Sequence, residues 1–232
     1  MTASTRGRPR RRASRKAKPA GSYHHRDLKA ALLEAAASVL EDYGVAGFTL
    51  RECARRAGVS HGAPAHHFGD VRGLLSAFTA ESFAQLGALT LEYRSKAPPE
   101  GFSQLLASGL AYVDYALAQR ARFQLMFRSD RLDPNDEQLR RAGQAVFNIL
   151  RQDMARTSAE AGATDAMLQE KTALAWSIVH GFTTLMLENA GFASQTGGDP
   201  RKAHALVRAL ITLTRPAFES TRPEPRLSSA GV

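Results

Sequence analysis

Three histidines lie close together in this sequence, at His61, His66 and His67. Imidazole is a common metal ligand and a general base near neutral pH, so these residues could form a metal or catalytic site. Their spacing is unfavourable, because His66 and His67 are adjacent and point about 100° apart on a helix. His61 lies five residues before His66, which is also off one helical face. The spacing therefore predicts a polar, partly exposed helix surface, with no metal and no cofactor.

Other catalytic signatures are also missing from the sequence. We find no phosphate-binding loop, no Gly-x-Ser-x-Gly elbow, no zinc pattern and no dinucleotide fingerprint, so the sequence predicts that the protein is not an enzyme. The single cysteine, Cys53, cannot form an internal disulfide, which fits a reducing compartment. Its position next to a predicted helix start favours a small buried side chain over a redox sensor.

The charge of the chain is concentrated at its N-terminus. Residues 1–20 carry eight Lys and Arg and no Asp or Glu, so they hold +8 of the net charge of +9. Such a segment repels itself and predicts a disordered arm whose partner is a polyanion, with nucleic acid favoured over an anionic membrane surface. No apolar run reaches about 18 residues and the N-terminus lacks a secretory apolar core, so we expect a cytoplasmic, nucleoid-associated protein with no membrane partner.

The apolar residues recur at helical spacing almost throughout, so the predicted fold class is all-α, with about nine helices. A first helix is expected from about His25 to Tyr43. A second helix begins at Thr49 and ends before Gly58. Thr49 is expected to form a capping box with Glu52. Ser60 is expected to cap a third short helix over 61–68. Asp70 is expected to cap a longer fourth helix that ends before the Pro98–Pro99 pair.

The short second and third helices, joined by "AGVS", have the pattern of a helix-turn-helix over residues 49–68. Gly58 supplies the turn, Val59 fills the space between the helices and Ser60 starts the second helix. In such a motif the second helix enters the major groove of DNA with its first residues facing base edges. The sequence therefore predicts a surface that docks on double-stranded DNA.

Residues 25–85 resemble the DNA-binding domain of the TetR/AcrR family of bacterial transcriptional regulators. The stretch "AALLEAAASVLEDYGVAGFTLRECARRAGVSHGAPAHHFGDVRGLL" carries this resemblance. Further on, "AWSIVHGF" and "YVDYALAQRARFQLMF" resemble a C-terminal subtype with a Trp-His-Gly pattern. The resemblance implies a small N-terminal DNA-binding domain, a larger helical-bundle domain that dimerises and holds a small-molecule pocket, and repression as the usual mode.

Two positions depart from the family pattern. Family members usually have Tyr where this chain has Ala65, and often Lys-Glu where it has Val71 and Arg72. The resemblance assigns phosphate contacts to that Tyr and Lys. Our hypothesis is that Arg72, His66 and the basic arm replace them, since Arg binds phosphate bidentately and a basic arm can lie in a minor groove. Weak binding, or an unusual operator, is the alternative.

The predicted DNA contacts fall into three groups. The groove-facing residues are His61, Gly62, Ala63, Ala65 and His66, with His67 beside them. The phosphate-facing residues are Thr49, Arg51 and Arg72, and the arm contributes Arg10, Arg11 and Arg12. Arg55 and Arg56 are either phosphate contacts or ordinary surface charges.

The C-terminal half is predicted to carry the dimer interface and the pocket. The expected homodimer contact is a stripe on the last long helix, Leu206, Ala209, Leu210 and Leu213. An intramolecular core is the alternative for that stripe. The expected pocket residues are Tyr115, Phe123, Met126, Phe127, Trp176 and His180. They imply an effector that is small and apolar or amphipathic, although such aromatic residues are more often core.

These observations predict four parts: a basic arm at 1–22, a helix-turn-helix domain at 23–85, an effector-binding and dimerisation domain at 86–218, and a disordered tail at 219–232. The predicted function is a sequence-specific transcriptional regulator that binds a palindrome-like operator as a homodimer and is released by a small molecule. The alternative is a non-specific DNA-binding or membrane-surface protein driven by the arm. That alternative predicts binding without sequence preference, even after damage to the helix-turn-helix.

Overall fold

A computed structural model describes residues 23–159, 162–197 and 199–220, with side chains from Leu28 onward. The predicted contacts at Arg10, Arg11 and Arg12, and the proposed tail beyond Ser220, lie outside these residues. Within the described residues the chain forms eleven α-helices, one 3-10 turn at Ser129–Arg131 and no strand. The helices are α1 (Tyr23–Tyr43), α2 (Leu50–Arg56), α3 (Ala63–Phe68), α4 (Val71–Lys96), α5 (Gly101–Ala118), α6 (Arg120–Met126), α7 (Glu137–Thr157), α8 (Asp165–Glu188), α9 (Ala190–Ala193), α10 (Pro200–Leu213) and α11 (Arg215–Glu219).

The all-α prediction is confirmed, with eleven helices in the described residues instead of about nine. The two additional helices, α9 and α11, span only four and five residues, which is too short for an apolar period to be visible. Helix α7 begins at Glu137, although its apolar spacing alone would allow a start at about Pro134. The cause is Asp136, whose side chain accepts a hydrogen bond from the Leu139 amide at 2.8 Å and caps the helix there.

The N-terminal helices enclose a core that also includes residues from the second half of the chain. Helices α1 and α4 supply most of its buried side chains, and Phe48 and Cys53 complete it from the start of α2. Leu125 of α6 and Leu132, just after the 3-10 turn, are buried in the same core. The segment that follows α6 therefore packs against the helix-turn-helix region and is not only part of the C-terminal bundle.

Helix α5 lies at the centre of the C-terminal bundle, in contact with α4, α7, α8 and α10. One ion pair is buried there. Arg94 of α4 lies 2.9 Å from the Asp153 carboxylate of α7, and Ser108 of α5 donates a hydrogen bond to the same carboxylate at 2.6 Å. Breaking a buried pair of this kind leaves an uncompensated charge, so these three residues fix the packing of α4, α5 and α7. None of the helices in the described ranges has the length and apolarity that crossing a membrane requires.

Candidate nucleic-acid interface and ligand cavity

The start of α2 is capped by a side chain, as the sequence predicts. The Thr49 hydroxyl accepts a hydrogen bond from the Glu52 amide at 3.2 Å. Glu52 itself binds Arg55 and Arg56, at 2.7 and 2.9 Å, so the structure shows only the threonine half of the predicted capping box. These hydrogen bonds from the two arginines lower the pKa of Glu52 to about 2. The carboxylate therefore neutralises arginines on the surface of α2.

The two arginines of α2 have different surroundings. The Arg56 guanidinium is mostly buried and also binds Ser38 at 2.5 Å and Asp42 at 2.7 Å, which ties α2 to α1. The Arg55 side chain is 65% exposed, and its bonds in the structure are to Glu52. Arg56 is therefore engaged within the protein, while Arg55 is on the surface.

The turn between α2 and α3 has the predicted geometry. Gly58 adopts a φ of +67°, in the left-handed region that favours glycine, directly after the last turn of α2. The amide of Val59 donates to the carbonyl of Ala54 at 3.1 Å, and its side chain packs on the N-terminal core. This arrangement fixes the orientation of α3 relative to α2.

The predicted start of the third helix is wrong by two residues. Helix α3 begins at Ala63 and not at His61, and its N-cap is Gly62, without a side-chain cap from Ser60. Pro64 explains this start, because a residue without an N–H fits the first turn of a helix, where amides have no intrahelical acceptor. With Pro64 as its second residue, α3 spans only Ala63–Phe68.

The surface at the beginning of α3 is small and open. His61, Gly62, Ala65 and His66 are exposed, and Ala63 is partly buried. A Cβ built on Gly62 would meet no atom within 4 Å. Thr49 and Arg51 are also exposed, on the adjoining helix α2. A macromolecule could therefore approach the backbone at Gly62 closely, although the individual contacts stay predictions.

His61 and His66 are exposed at the surface, as the sequence predicts. The rings of His66 and His67 lie edge to face with centroids 5.3 Å apart. Within the residues that the structure describes, no three His, Cys, Asp or Glu side chains group in a way that could hold a metal ion. Cys53 is fully buried, donates to the Leu32 carbonyl at 3.3 Å and has its pKa raised by burial to about 11. Its predicted role as a small buried side chain is confirmed.

Helix α4 starts where α3 ends and reaches the C-terminal bundle. Asp70 caps it by accepting a hydrogen bond from the Gly73 amide at 2.9 Å, as predicted. Arg72, however, donates from Nε to the Leu132 carbonyl at 3.1 Å, and its Nη2 donates to the same oxygen. The guanidinium that we assigned to DNA phosphate is thus bound to the segment after α6. No local pattern indicates this contact, since the two residues are 60 positions apart.

A cavity of about 440 Å³ opens in the C-terminal bundle. Of the six predicted pocket residues, Met126, Phe127 and Trp176 line it. Tyr115 and Phe123 do not: both are almost fully buried in the core beside it, because the inner face of α5 and α6 packs on α4. Sequence reasoning missed the contributions of α4, α7 and α11, which include Phe83, Phe147 and Phe218. The apolar spacing in α4 was visible, but it did not indicate a cavity.

His180 lies behind the cavity wall and not on its lining. Its ring centroid lies 4.5 Å from that of Phe127 and 5.9 Å from that of Trp176. Its Nδ1 lies 2.8 Å from the hydroxyl of Tyr112, which does line the cavity. Burial lowers the pKa of His180, so the neutral imidazole is favoured. The residue therefore positions Tyr112.

The predicted dimer stripe is exposed on α10. Leu206 and Leu210 are each 37% exposed and Leu213 is 77% exposed, with Ala209 also exposed between them. The opposite face of α10, including Val207 and Ile211, packs into the bundle. The leucine stripe therefore lies on the surface of the described bundle, and its role as a dimer interface stays a prediction. Helix α8 also exposes Leu174 and Leu185, which lie on one helical face, and Trp176, which lies on another face and lines the cavity.

Both halves of the chain match known protein families. Residues 32–78 match the family described as bacterial regulatory proteins, tetR family, and residues 105–226 match the tetracyclin repressor-like C-terminal domain. The second match alone covers more than half of the sequence. The Trp-His-Gly subtype is not part of this description and stays a prediction.

Individual proteins agree with these matches. The HTH-type transcriptional regulator BetI of Burkholderia thailandensis is 34% identical over 86 residues, which are 37% of this chain and 44% of that protein. The chain thus spans less than half the length of the curated relatives it matches.

Two solved structures share the fold. A Rhodococcus sp. RHA1 protein of unknown function is 30% identical, with a TM-score of 0.65 over 85% of this chain and 96% of that one. A TetR variant from Acinetobacter baumannii AYE, solved with minocycline, is 18% identical, with a TM-score of 0.57 over 82% and 97%. The chain therefore belongs to the TetR family of bacterial regulatory proteins, whose members are transcription factors and not enzymes.

Proposed function

We propose that this protein is a homodimeric repressor that binds a palindrome-like DNA operator through α3 and leaves it when a small molecule occupies the bundle cavity. The observation that carries the DNA-binding part is the start of α3. His61 and Gly62 just before α3, and Ala65 and His66 on it, are exposed, and nothing in the described structure covers them. A helix presented in this way fits the major groove, where small side chains permit close approach to base edges.

The dimer is supported by the apolar rows on α8 and α10. One helix-turn-helix reads few base pairs, so useful affinity requires two half-sites about one helical turn apart or more. Leu206, Leu210 and Leu213 recur at steps of four and three on α10. On α8, Leu174 and Leu185 lie eleven residues apart, which returns to the same helical face. Exposed apolar residues grouped on one helix face, as on α10, are typical of protein interfaces.

Ligand release is supported by the two connections between the cavity and the helix-turn-helix. Phe83 and Leu86 line the cavity from α4, whose first turn follows α3. Met126 and Phe127 line it at the end of α6, a few residues before Leu132, which is buried in the N-terminal core. A ligand that favours a different separation of α4 and α6 would shift an existing equilibrium in the spacing of the recognition helices.

The test is selection of bound sequences from random duplexes with the purified full chain near physiological salt. We expect an enriched site with two inverted half-sites, because a two-fold dimer presents two copies of α3. Salt-sensitive binding without any enriched sequence would instead support the arm-driven, non-specific alternative. The recovered site, placed before a reporter gene, then tests repression, since loss of the protein should raise expression.

A further inference from the structure

We infer that the bundle cavity selects an uncharged ligand whose polar group is a hydrogen-bond donor, such as an alcohol or a phenol. The inference rests on the proposed function only in treating this cavity as the effector site. Its evidence is the hydrogen bonding of the polar groups that line the cavity, and it can be tested without DNA.

The side chains that line the cavity disfavour a charged ligand. All the described side chains around the cavity are uncharged, and most are large and apolar. The nearest ion pair, Arg94 with Asp153, lies behind Ser108 and is already compensated. Transfer of a charged group from water into such surroundings is costly unless an opposite charge or several hydrogen bonds receive it. An anion or a cation would therefore bind more weakly than a neutral molecule of the same shape.

The hydroxyl groups on the lining have already donated their hydrogens. Thr90 donates to the Leu86 carbonyl at 2.8 Å, and Thr214 donates to the Ile211 carbonyl at 2.9 Å. Both acceptors are backbone groups of the preceding helical turn. A hydroxyl has one hydrogen and two lone pairs, so each of these oxygens can still accept a hydrogen bond but has no hydrogen left to offer.

Ser108 is the strongest of these acceptors. Its hydrogen is directed to the buried Asp153 carboxylate at 2.6 Å, and turning it toward a ligand would leave that carboxylate oxygen without its partner. A hydrogen bond to a charged acceptor is stronger than a neutral one, and it polarises the hydroxyl oxygen. We therefore expect the donor of the ligand to point at Ser108.

The Tyr112 hydroxyl is also hydrogen-bonded within the protein. It lies 2.8 Å from Nδ1 of His180, and the tautomer of that histidine sets which of the two groups donates. The hydroxyls that carry the selectivity are therefore those of Ser108, Thr90 and Thr214, whose hydrogens point to protein acceptors. Gln144 keeps a free amide hydrogen, but it is exposed at the rim and already binds Asn148.

The experiment is calorimetric titration of the full chain with four ligands built on one naphthalene ring. They are 2-naphthol, 2-methoxynaphthalene, 2-naphthoate and protonated 2-naphthylmethylamine, which present a neutral donor, a neutral acceptor, an anion and a cation. We expect 2-naphthol to bind about tenfold more tightly than 2-methoxynaphthalene, the size of one net hydrogen bond. Both ions should bind more weakly than 2-naphthol. Equal affinity for the naphthol and its methyl ether, tighter binding of either ion, or no binding of any ligand would overturn the inference.

Three variants locate the acceptor. Ser108→Ala should remove most of the preference for 2-naphthol and leave the affinity for 2-methoxynaphthalene within about twofold. Thr90→Val and Thr214→Val repeat the test at hydroxyls that bond only to their own helix. Thr183→Val is the matched control, because the Thr183 hydroxyl also donates to its own helix, at 2.6 Å, but lies outside the cavity lining.

The preference should survive in Thr183→Val. If none of Ser108→Ala, Thr90→Val and Thr214→Val lowers it, the lining hydroxyls do not carry the selectivity and the inference is wrong. Ligand binding of the expected kind without release of a selected DNA duplex would overturn the proposed function alone.

Discussion

Arg72, the second residue of α4, donates two hydrogen bonds to the carbonyl of Leu132, so the helix that follows α3 is tied to the segment after α6. Two further bonds strengthen this junction. The Asp133 amide donates to Ser76 at 2.8 Å, and Arg131 donates to the Val45 carbonyl at 3.2 Å. Met126 and Phe127 line the cavity at the end of α6. The junction therefore connects the lining of the cavity to the helix-turn-helix region through hydrogen bonds.

We predict that Arg72→Ala weakens the response to ligand more than it weakens DNA binding. Removing the guanidinium removes one of the hydrogen-bonded contacts between α4 and the segment after α6, so occupancy of the cavity should shift the DNA affinity less than in the wild type. The measurement is the affinity for the selected duplex with and without 2-naphthol, repeated over a range of salt. Arg51→Ala is the comparison, because Arg51 is exposed on α2 and is predicted to touch phosphate.

The salt dependence separates the two roles that have been considered for Arg72. Each lost phosphate contact lowers the slope of log affinity against log salt by about 0.9. We expect that change for Arg51→Ala and not for Arg72→Ala. A reduced slope with an unchanged ligand response in Arg72→Ala would restore the phosphate role and contradict the link.

Gly62 and Gly69 form a matched pair for testing the approach to DNA. Gly62→Ala should leave the free energy of unfolding unchanged, because its φ is −82° and an added Cβ meets nothing within 4 Å. It should nevertheless weaken operator binding by about tenfold, since a methyl group would stand where base edges approach. Urea denaturation and fluorescence anisotropy measure the two effects.

Gly69→Ala should show the opposite pattern. Gly69 ends α3 with a φ of +78°, so a side chain there is strained and should cost about 1–2 kcal/mol in the free energy of unfolding. Equal effects of the two substitutions on stability, or normal operator binding by Gly62→Ala, would argue against close approach at Gly62.

The exposed row on α10 predicts that Leu210→Glu converts the dimer to a monomer at micromolar concentration. The new carboxylate would be buried against an apolar partner surface without a counter-charge. Analytical ultracentrifugation measures the mass, and Leu91→Glu is the control, because Leu91 is 53% exposed on α4, away from the proposed interface. If the Leu210→Glu protein stays dimeric, this face of α10 is not the dimer interface.

Cys53 should be unreactive in the folded protein. Its pKa rises from 9.0 to about 11, so the thiolate fraction near pH 8 falls about 100-fold, and the sulfur is also inaccessible. Alkylation by iodoacetamide should therefore be at least about 100-fold slower than in urea. Because the folded-state pKa is the higher one, the thiol's contribution to stability is present below pH 9 and is lost as pH rises through about 11. Similar alkylation rates for the native and the urea-denatured protein would contradict the predicted lack of reactivity.

The sequence predicted the features that depend on neighbouring residues. The cap at Asp70, the turn at Gly58 and the burial of Cys53 all follow from local spacing and backbone preference. The start of α3 was misjudged because the preference of Pro64 for the first helical turn outweighed the capping signal at Ser60.

Contacts between residues that are far apart in the sequence could not be predicted from local spacing. Nothing in helical periodicity distinguishes Phe123, which is core, from Phe127, which lines the cavity four residues later on the adjoining turn. The contribution of Phe218 depends on how α11 folds back, where Lys171 donates to the Phe218 carbonyl at 2.8 Å. The contact between Arg72 and Leu132 likewise requires the tertiary fold.

Whether α3 reads a DNA sequence can be decided in one binding experiment. It compares the affinity of the full chain for the selected duplex and for a scrambled duplex of the same length, by fluorescence anisotropy near 0.15 M salt. We expect a ratio of about a thousandfold or more, which His66→Ala lowers by weakening only the selected duplex. Equal affinity for both duplexes, or a ratio that both His66→Ala and Gly62→Ala leave unchanged, would contradict it.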